Sequence, residues 1–131
     1  MAVFYNKVQR KNPSDPNATA KWYPSLRTTG MLKEKEVARQ IADETTLNPK
    51  EAEMALSQLQ KIMLRALHNG QSIQLGDWGS FHLTLNAEGS ETEADANAMK
   101  VKKVNIRFAP GKELKESIAK IELRQTSTLI S

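Results

Sequence analysis

The sequence predicts a small α+β fold with an additional β element at its N-terminus, and three observations carry that reading. Apolar residues between positions 33 and 68 recur at helical spacing on either side of an Asn48-Pro49 break. Residues 79–85 and 101–108 alternate apolar and polar, as strands with one buried face do. Pro110-Gly111 then separates the second of these runs from a short amphipathic stretch, KELKESIAKIEL.

Taken in order, VFYNKVQ (3–9) mixes β-branched, aromatic and polar residues and reads as a strand. The turn dipeptides Asn12-Pro13 and Asp15-Pro16 lead to a second strand, KWYPSLR (21–27). Pro24 lacks an N–H, which places that strand at a sheet edge or in irregular pairing. A two-stranded ribbon is marginal alone and must pack on something. Its aromatics Phe4, Tyr5, Trp22 and Tyr23 are expected to be buried, Trp22 and Tyr23 as anchors.

A first helix is expected over 33–45, with Val37, Ala38, Ile41 and Ala42 on one side. The second, over 49–68, has a sharper start: Asn48 as N-cap, Pro49 at the first helical position, Glu51 three residues after the cap. Gly70 follows its end. Its apolar arc includes Met54, Ile62 and Leu64 and is wider than a small sheet covers, which implies a second buried contact such as another subunit. SIQL (72–75), a turn at Gly76-Asp77 and GSFHLTL (79–85) read as an antiparallel pair, and VKKVNIRF (101–108) as the third strand. A last helix is expected over 112–122 with Leu114, Ile118 and Ile121 inward. The domain division is a β extension over 1–30, a main domain over 31–123 and a flexible tail over 124–131.

Charge is uneven along the chain. The formal net charge is +4, yet residues 86–99 hold Glu88, Glu91, Glu93 and Asp95 and no base, while 100–131 hold eight bases against three acids. A basic balance favours acidic partners without requiring them. There is no cysteine, so no disulfide or thiolate chemistry, in keeping with a reducing cytoplasm. Two histidines and no cysteine argue against a transition-metal site. No apolar run reaches the ~18 residues of a spanning helix, so no membrane partner is expected. With no phosphate-cradling Gly loop, nucleophile elbow or metal-ligand spacing, the expectation is a non-enzyme without a cofactor.

Three stretches carry a family resemblance. LHNGQSIQLGDWGSFHL (67–83) resembles the end of helix two and the first hairpin of the bacterial histone-like HU and integration host factor family. NIRFAPGKELKESI (105–118) resembles its return strand and last helix, with Phe108, Gly111, Lys112 and Leu114 in matching places. ADETTLNPKEAEMALSQL resembles its first helix-turn-helix. Together they cover roughly residues 32–123, and the leading segment is similar to an HU-related subgroup with a β N-terminal extension. The resemblance implies an HU-like (IHF-like) fold, a homodimer interlocked through helix two, and an architectural protein of the cytoplasm and bacterial nucleoid that binds double-stranded DNA.

In that family the connection between the second and third strands is a basic arm that enters the minor groove and wedges base steps apart. This chain departs from the pattern: no proline lies between Pro49 and Pro110, and no Lys or Arg between Arg65 and Lys100. An acidic arm repels phosphates and releases no counterions. It reads as a solvated loop, a contact for a protein partner, or a flap over a basic surface. The basic group is Lys100, Lys102, Lys103, Arg107, Lys112 and Lys115. Lys103 and Arg107 share one strand face, and the resemblance carries a phosphate role onto Lys112 and Lys115. Lys7, Arg10, Lys11 and Lys21 extend the group only if the extension folds beside it. Trp78 plugs a core or a subunit interface, or stacks on a base. His68 lies by a helix C-terminus, and His82 is expected to be exposed. The expected function is weak, sequence-independent phosphate binding. The alternative is an HU-like scaffold for protein–protein contacts that has lost DNA binding.

Overall fold

The structure, a computed structural model, describes residues 2–126. The chain forms two compact units, one of residues 33–117 and one of residues 1–32 together with 118–131.

In the second of these, β1 (Ala2–Arg10) and β2 (Lys21–Arg27) pair antiparallel, with Phe4 opposite Arg27 and Arg10 opposite Lys21. The expected ribbon is present and gains a third strand. Residues Glu122–Gln125 form β6, which runs parallel to β1 with Ala2 opposite Glu122, in the sheet order β2-β1-β6. Thr126 donates a hydrogen bond from its hydroxyl to the Asn6 side-chain oxygen. Two expectations are thereby corrected. The last helix, α3 (Lys112–Ala119), ends before 122, and Ile121 leaves it, its N–H bonding back to the Ile118 carbonyl at 3.1 Å. The tail expected to be loose from 124 is strand through Gln125. A ribbon gains from a third strand on its open edge, and the short segment after α3 satisfies that edge. The rest of that tail, 127–131, lies outside the described residues. Pro24 sits on the edge strand β2, opposite Lys7, as its missing N–H requires. Trp22 and Tyr23, expected to be buried anchors, are exposed, Trp22 by 65%.

In the unit of residues 33–117, α1 (Glu34–Glu44) and α2 (Pro49–His68) lie within a residue of their predicted bounds. The α2 start is a full capping box: Asn48 Oδ1 accepts the Glu51 N–H at 2.9 Å and Glu51 Oε1 accepts the Asn48 N–H at 3.2 Å. The two helices pack together, with Ala38 and Ala52 fully buried and Gln60 donating to Glu34 at 2.9 Å. Small residues at a crossing let helix backbones approach closely. The sheet β3 (Ile73–Leu75), β4 (Gly79–Ala87), β5 (Val101–Pro110) is antiparallel in that order, as predicted.

Two glycines lock its base. Gly79 has φ +151, and a Cβ there would meet the Ala109 carbonyl at 2.5 Å and the Phe108 ring at 2.7 Å. Gly111 donates its N–H to the Trp78 carbonyl at 2.8 Å, and a Cβ on it would lie 1.9 Å from the Asp77 carbonyl oxygen. The 3-10 turn Gly76–Trp78 is thus pressed against the start of α3. Trp78 leans on Phe81 and Phe108, with centroids 6.3 and 5.9 Å away, while Phe81 and Phe108 are 4.9 Å apart. Its ring remains 52% exposed. No large side chain among the described residues is fully buried.

Candidate nucleic-acid interface

Strand alternation sorts the β4–β5 ladder into two faces. Phe81, Leu83 and Leu85 stand opposite Phe108, Ile106 and Val104 and make one face apolar. His82, Thr84 and Asn86 stand opposite Arg107, Asn105 and Lys103 and make the other polar. Neither Lys103 nor Arg107 has a carboxylate across the ladder or in an ion pair among the described residues. These two are unmatched cations on a shared face, as the sequence spacing predicts. His82, expected to be exposed, is half-buried on that face. His68 occupies the last turn of α2.

The register shifts after Asn86: Ala87 opposes Val101 while Asn86 opposes Lys103, leaving Lys102 as the extra residue of a bulge. That bulge turns Lys102 toward the arm, where its Nζ lies 3.0 Å from Glu88 Oε1. The Glu88 N–H donates to the Lys100 carbonyl at 3.0 Å and closes the arm's base. Beyond it the arm holds itself by short-range bonds: Thr92 Oγ1 to Asp95 Oδ2 at 2.9 Å, Ser90 Oγ to the Asp95 carbonyl at 3.3 Å, and the Met99 N–H to Asn97 Oδ1 at 3.0 Å. Residues 98–100 form a 3-10 turn, and Lys100 is half-buried within it. Of the six predicted site residues, then, Lys102 is already paired with an acid, and Lys100 sits in the arm's return turn.

Lys112 and Lys115 lie at the N-terminal end of α3, the helix's positive end, with Glu113 between them in the first turn. Glu116 reaches Lys112 only at the 4.0 Å limit of an ion pair, and the Lys112 side chain is almost wholly exposed. On α1, Arg39 is engaged by Glu36 and Asp43 and is no candidate for phosphate. The Arg39 side-chain hydrogen bond holds the Glu36 carboxyl below its ordinary value, and the same bond raises Arg39. Among the described residues no group of His, Asp or Glu side chains is arranged to hold a metal ion, and no helix is long and apolar enough to cross a membrane.

The basic residues that sequence spacing left uncommitted are those of the N-terminal sheet. Arg10, Lys11 and Lys21 line one concavity of about 410 Å³ with Asn12, Pro13, Thr19 and Tyr23. The signal was available: Arg10-Lys11 ends one strand and Lys21 begins the next, and a hairpin sets such residues side by side.

A helix pair, a three-stranded sheet with a long β4–β5 arm, and a helix docked by Gly111 form the architecture the three motif stretches imply. The sequence profile of the HU-HIG family, described as an HU domain fused to wHTH, Ig, or Glycine-rich motif, matches residues 1–125. The chain belongs to this family. Its β extension is thus part of the matched HU-HIG pattern. No curated protein matches the chain. Among solved structures, a provisionally assigned bacterial DNA-binding protein from Bacteroides vulgatus is similar at 14% identity and TM-score 0.63, over 93% of this chain and 47% of that one. The chain therefore spans about half the length of the Bacteroides protein. A point mutant of HU from Thermotoga maritima is similar at 24% identity and TM-score 0.50, over 66% of this chain and 97% of the HU. HU from Anabaena, crystallised with DNA, is similar at 18% identity and TM-score 0.54, over 67% and 98% of the two chains. At these identities the likeness establishes the HU fold.

Proposed function

We propose that this HU-HIG protein is a homodimeric, sequence-independent binder of duplex DNA in the bacterial nucleoid, with an arm that weakens its grip instead of wedging the bases. The observation that carries the reading is the polar face of β4–β5, where Lys103 and Arg107 stand without a counter-charge among the described residues. Cations so placed gain most by replacing water and counterions with phosphate oxygens. Lys112 and Lys115 add two more at a helix N-terminus. None of these side chains reads a base edge by itself, so affinity falls in the non-specific range of roughly micromolar or weaker.

The arm's part follows from magnitudes. The Lys102–Glu88 pair is more than half exposed on both sides. Such surface pairs contribute only about 0–1 kcal/mol, so the pair masks Lys102 without locking it. Glu91, Glu93 and Asp95 repel phosphate from the rest of the arm. With no proline between Pro49 and Pro110 to serve as a wedge, bending is small.

A second reading, a scaffold for protein contacts, is favoured by one count: residues 33–117 hold twelve bases against thirteen acids. Anisotropy titrations of a random-sequence duplex at low and moderate salt separate the two. DNA binding that weakens with salt, loses slope in a Lys103→Ala/Arg107→Ala/Lys112→Ala/Lys115→Ala variant, and brings labelled duplex ends little closer supports the first reading. No binding at low salt supports the scaffold, with the acidic arm as the partner surface.

A further inference from the structure

The chain's positive charge is not where its HU-type unit lies. Residues 1–32 and 118–131 hold seven bases, Lys7, Arg10, Lys11, Lys21, Arg27, Lys120 and Arg124, against two acids, Asp15 and Glu122. Both acids are engaged locally: Glu122 pairs with Arg124 at 3.0 Å, and Asp15 Oδ1 accepts the Asn17 N–H within its own loop at 3.1 Å. At the hairpin tip Arg10 and Lys21 are directly opposed across β1–β2. Directly opposed like charges destabilise a strand pair. Here no carboxylate relieves them, since neither Arg10, Lys11 nor Lys21 is in an ion pair among the described residues.

We propose that the β1–β2 tip, formed by Arg10, Lys11 and Lys21, is a second phosphate-binding site and supplies the larger share of this chain's attraction for duplex DNA. Cross-strand neighbours stand about 5 Å apart at Cβ, so a guanidinium and an ammonium flank a single phosphodiester there. The Arg10 fork takes two phosphate oxygens and the lysines act as point charges. The same concavity, about 410 Å³, includes Tyr23, whose hydroxyl adds a donor. An anion bound there also removes the repulsion between Arg10 and Lys21. With the excess charge on this unit, the tip leads the approach to a polyanion.

The proposal rests on the DNA-binding reading, and the test separates the two. Full-length wild type, Arg10→Ala/Lys11→Ala/Lys21→Ala and Lys103→Ala/Arg107→Ala are titrated with a random duplex across a salt series, folding being checked by circular dichroism. The tip variant should bind roughly tenfold more weakly at low salt and lose about 2–3 from the slope of log affinity against log salt, at about 0.9 per phosphate contact. Inorganic pyrophosphate should shift the amide resonances of positions 10, 11, 21 and 23 in the wild type and in the Lys103→Ala/Arg107→Ala variant, and leave those of the tip variant unmoved. A tip variant that binds like wild type overturns this inference and leaves the β5 site standing. A silent β5 variant beside a crippled tip variant does the reverse. Poly-glutamate competing as well as duplex reassigns the tip to acidic protein, and a wild type that binds no DNA at low salt sinks both.

Discussion

At Gly111 a single added methyl group would stand 1.9 Å from the Asp77 carbonyl oxygen, against the backbone of Asp77 and Trp78. No flexible side chain is there to yield. Gly111→Ala should therefore destabilise the fold by roughly 3 kcal/mol, at the upper end of overpacking costs. Urea unfolding measures it, and an unchanged midpoint would mean that the turn gives way freely. Asn48 acts on a different scale. Its side chain satisfies one N–H at the start of α2 and is reciprocated by Glu51. Asn48→Ala should cost about 1 kcal/mol in the same experiment, with Asn48→Asp close to neutral. Both residues were legible as turn and cap chemistry. The clash at Gly111 was not, because it depends on a turn more than thirty residues upstream in sequence.

The arm and the β6 strand are the elements in which the chain adds to the pattern of its motifs. In the arm, Glu88 ties across to the returning side through the Lys102 side chain on β5 and the Lys100 carbonyl just before it. Replacing Glu88, Glu91 and Glu93 with Gln and Asp95 with Asn should strengthen DNA binding, most at low salt where screening is least. Gel shifts across a salt series give the answer, and weaker binding would make the arm a direct contact. β6 is four residues long, yet it gives β1 a second partner. Ending the chain after Ile121 should return the N-terminal sheet to a bare ribbon. The amides of Ala2–Tyr5 should then lose protection in hydrogen exchange while those of α2 keep theirs. Equal protection with and without β6 would show that the β1–β2 pair is self-sufficient.

For the whole molecule, the decisive fact is how little is buried. Met54 is 70% exposed, Leu64 59%, and Ile106 and Val104 on the apolar sheet face are more than half exposed. Each such side chain contributes about 1.5–3 kcal/mol when fully buried, and conformational entropy opposes a chain that leaves them in water. A second copy laid over α2 and the apolar face of β4–β5 would cover them. Light scattering should give twice the 14.7 kDa chain mass. Ile106→Glu should lower that mass or the melting temperature, and a wild-type monomer at high concentration would remove the dimer from the account.

Local chemistry by itself determined most of the elements. Helical period, the Asn48-Pro49-Glu51 start, strand alternation and the glycine turns act over a few residues, so α1, α2 and the β3–β4–β5 sheet were readable along the chain. So was the shared face of Lys103 and Arg107, because a strand's period is two. Only the tertiary structure decided the rest. β6 pairs with a strand some 120 residues away, and four polar-rich residues carry no periodic signal of their own. One bulge residue brought Lys102 beside Glu88. Pairing of β1 with β2 brought Arg10 and Lys21 face to face. Each of these depends on register between distant segments, which is set by what packs and pairs in space and not by the residues beside them in the chain.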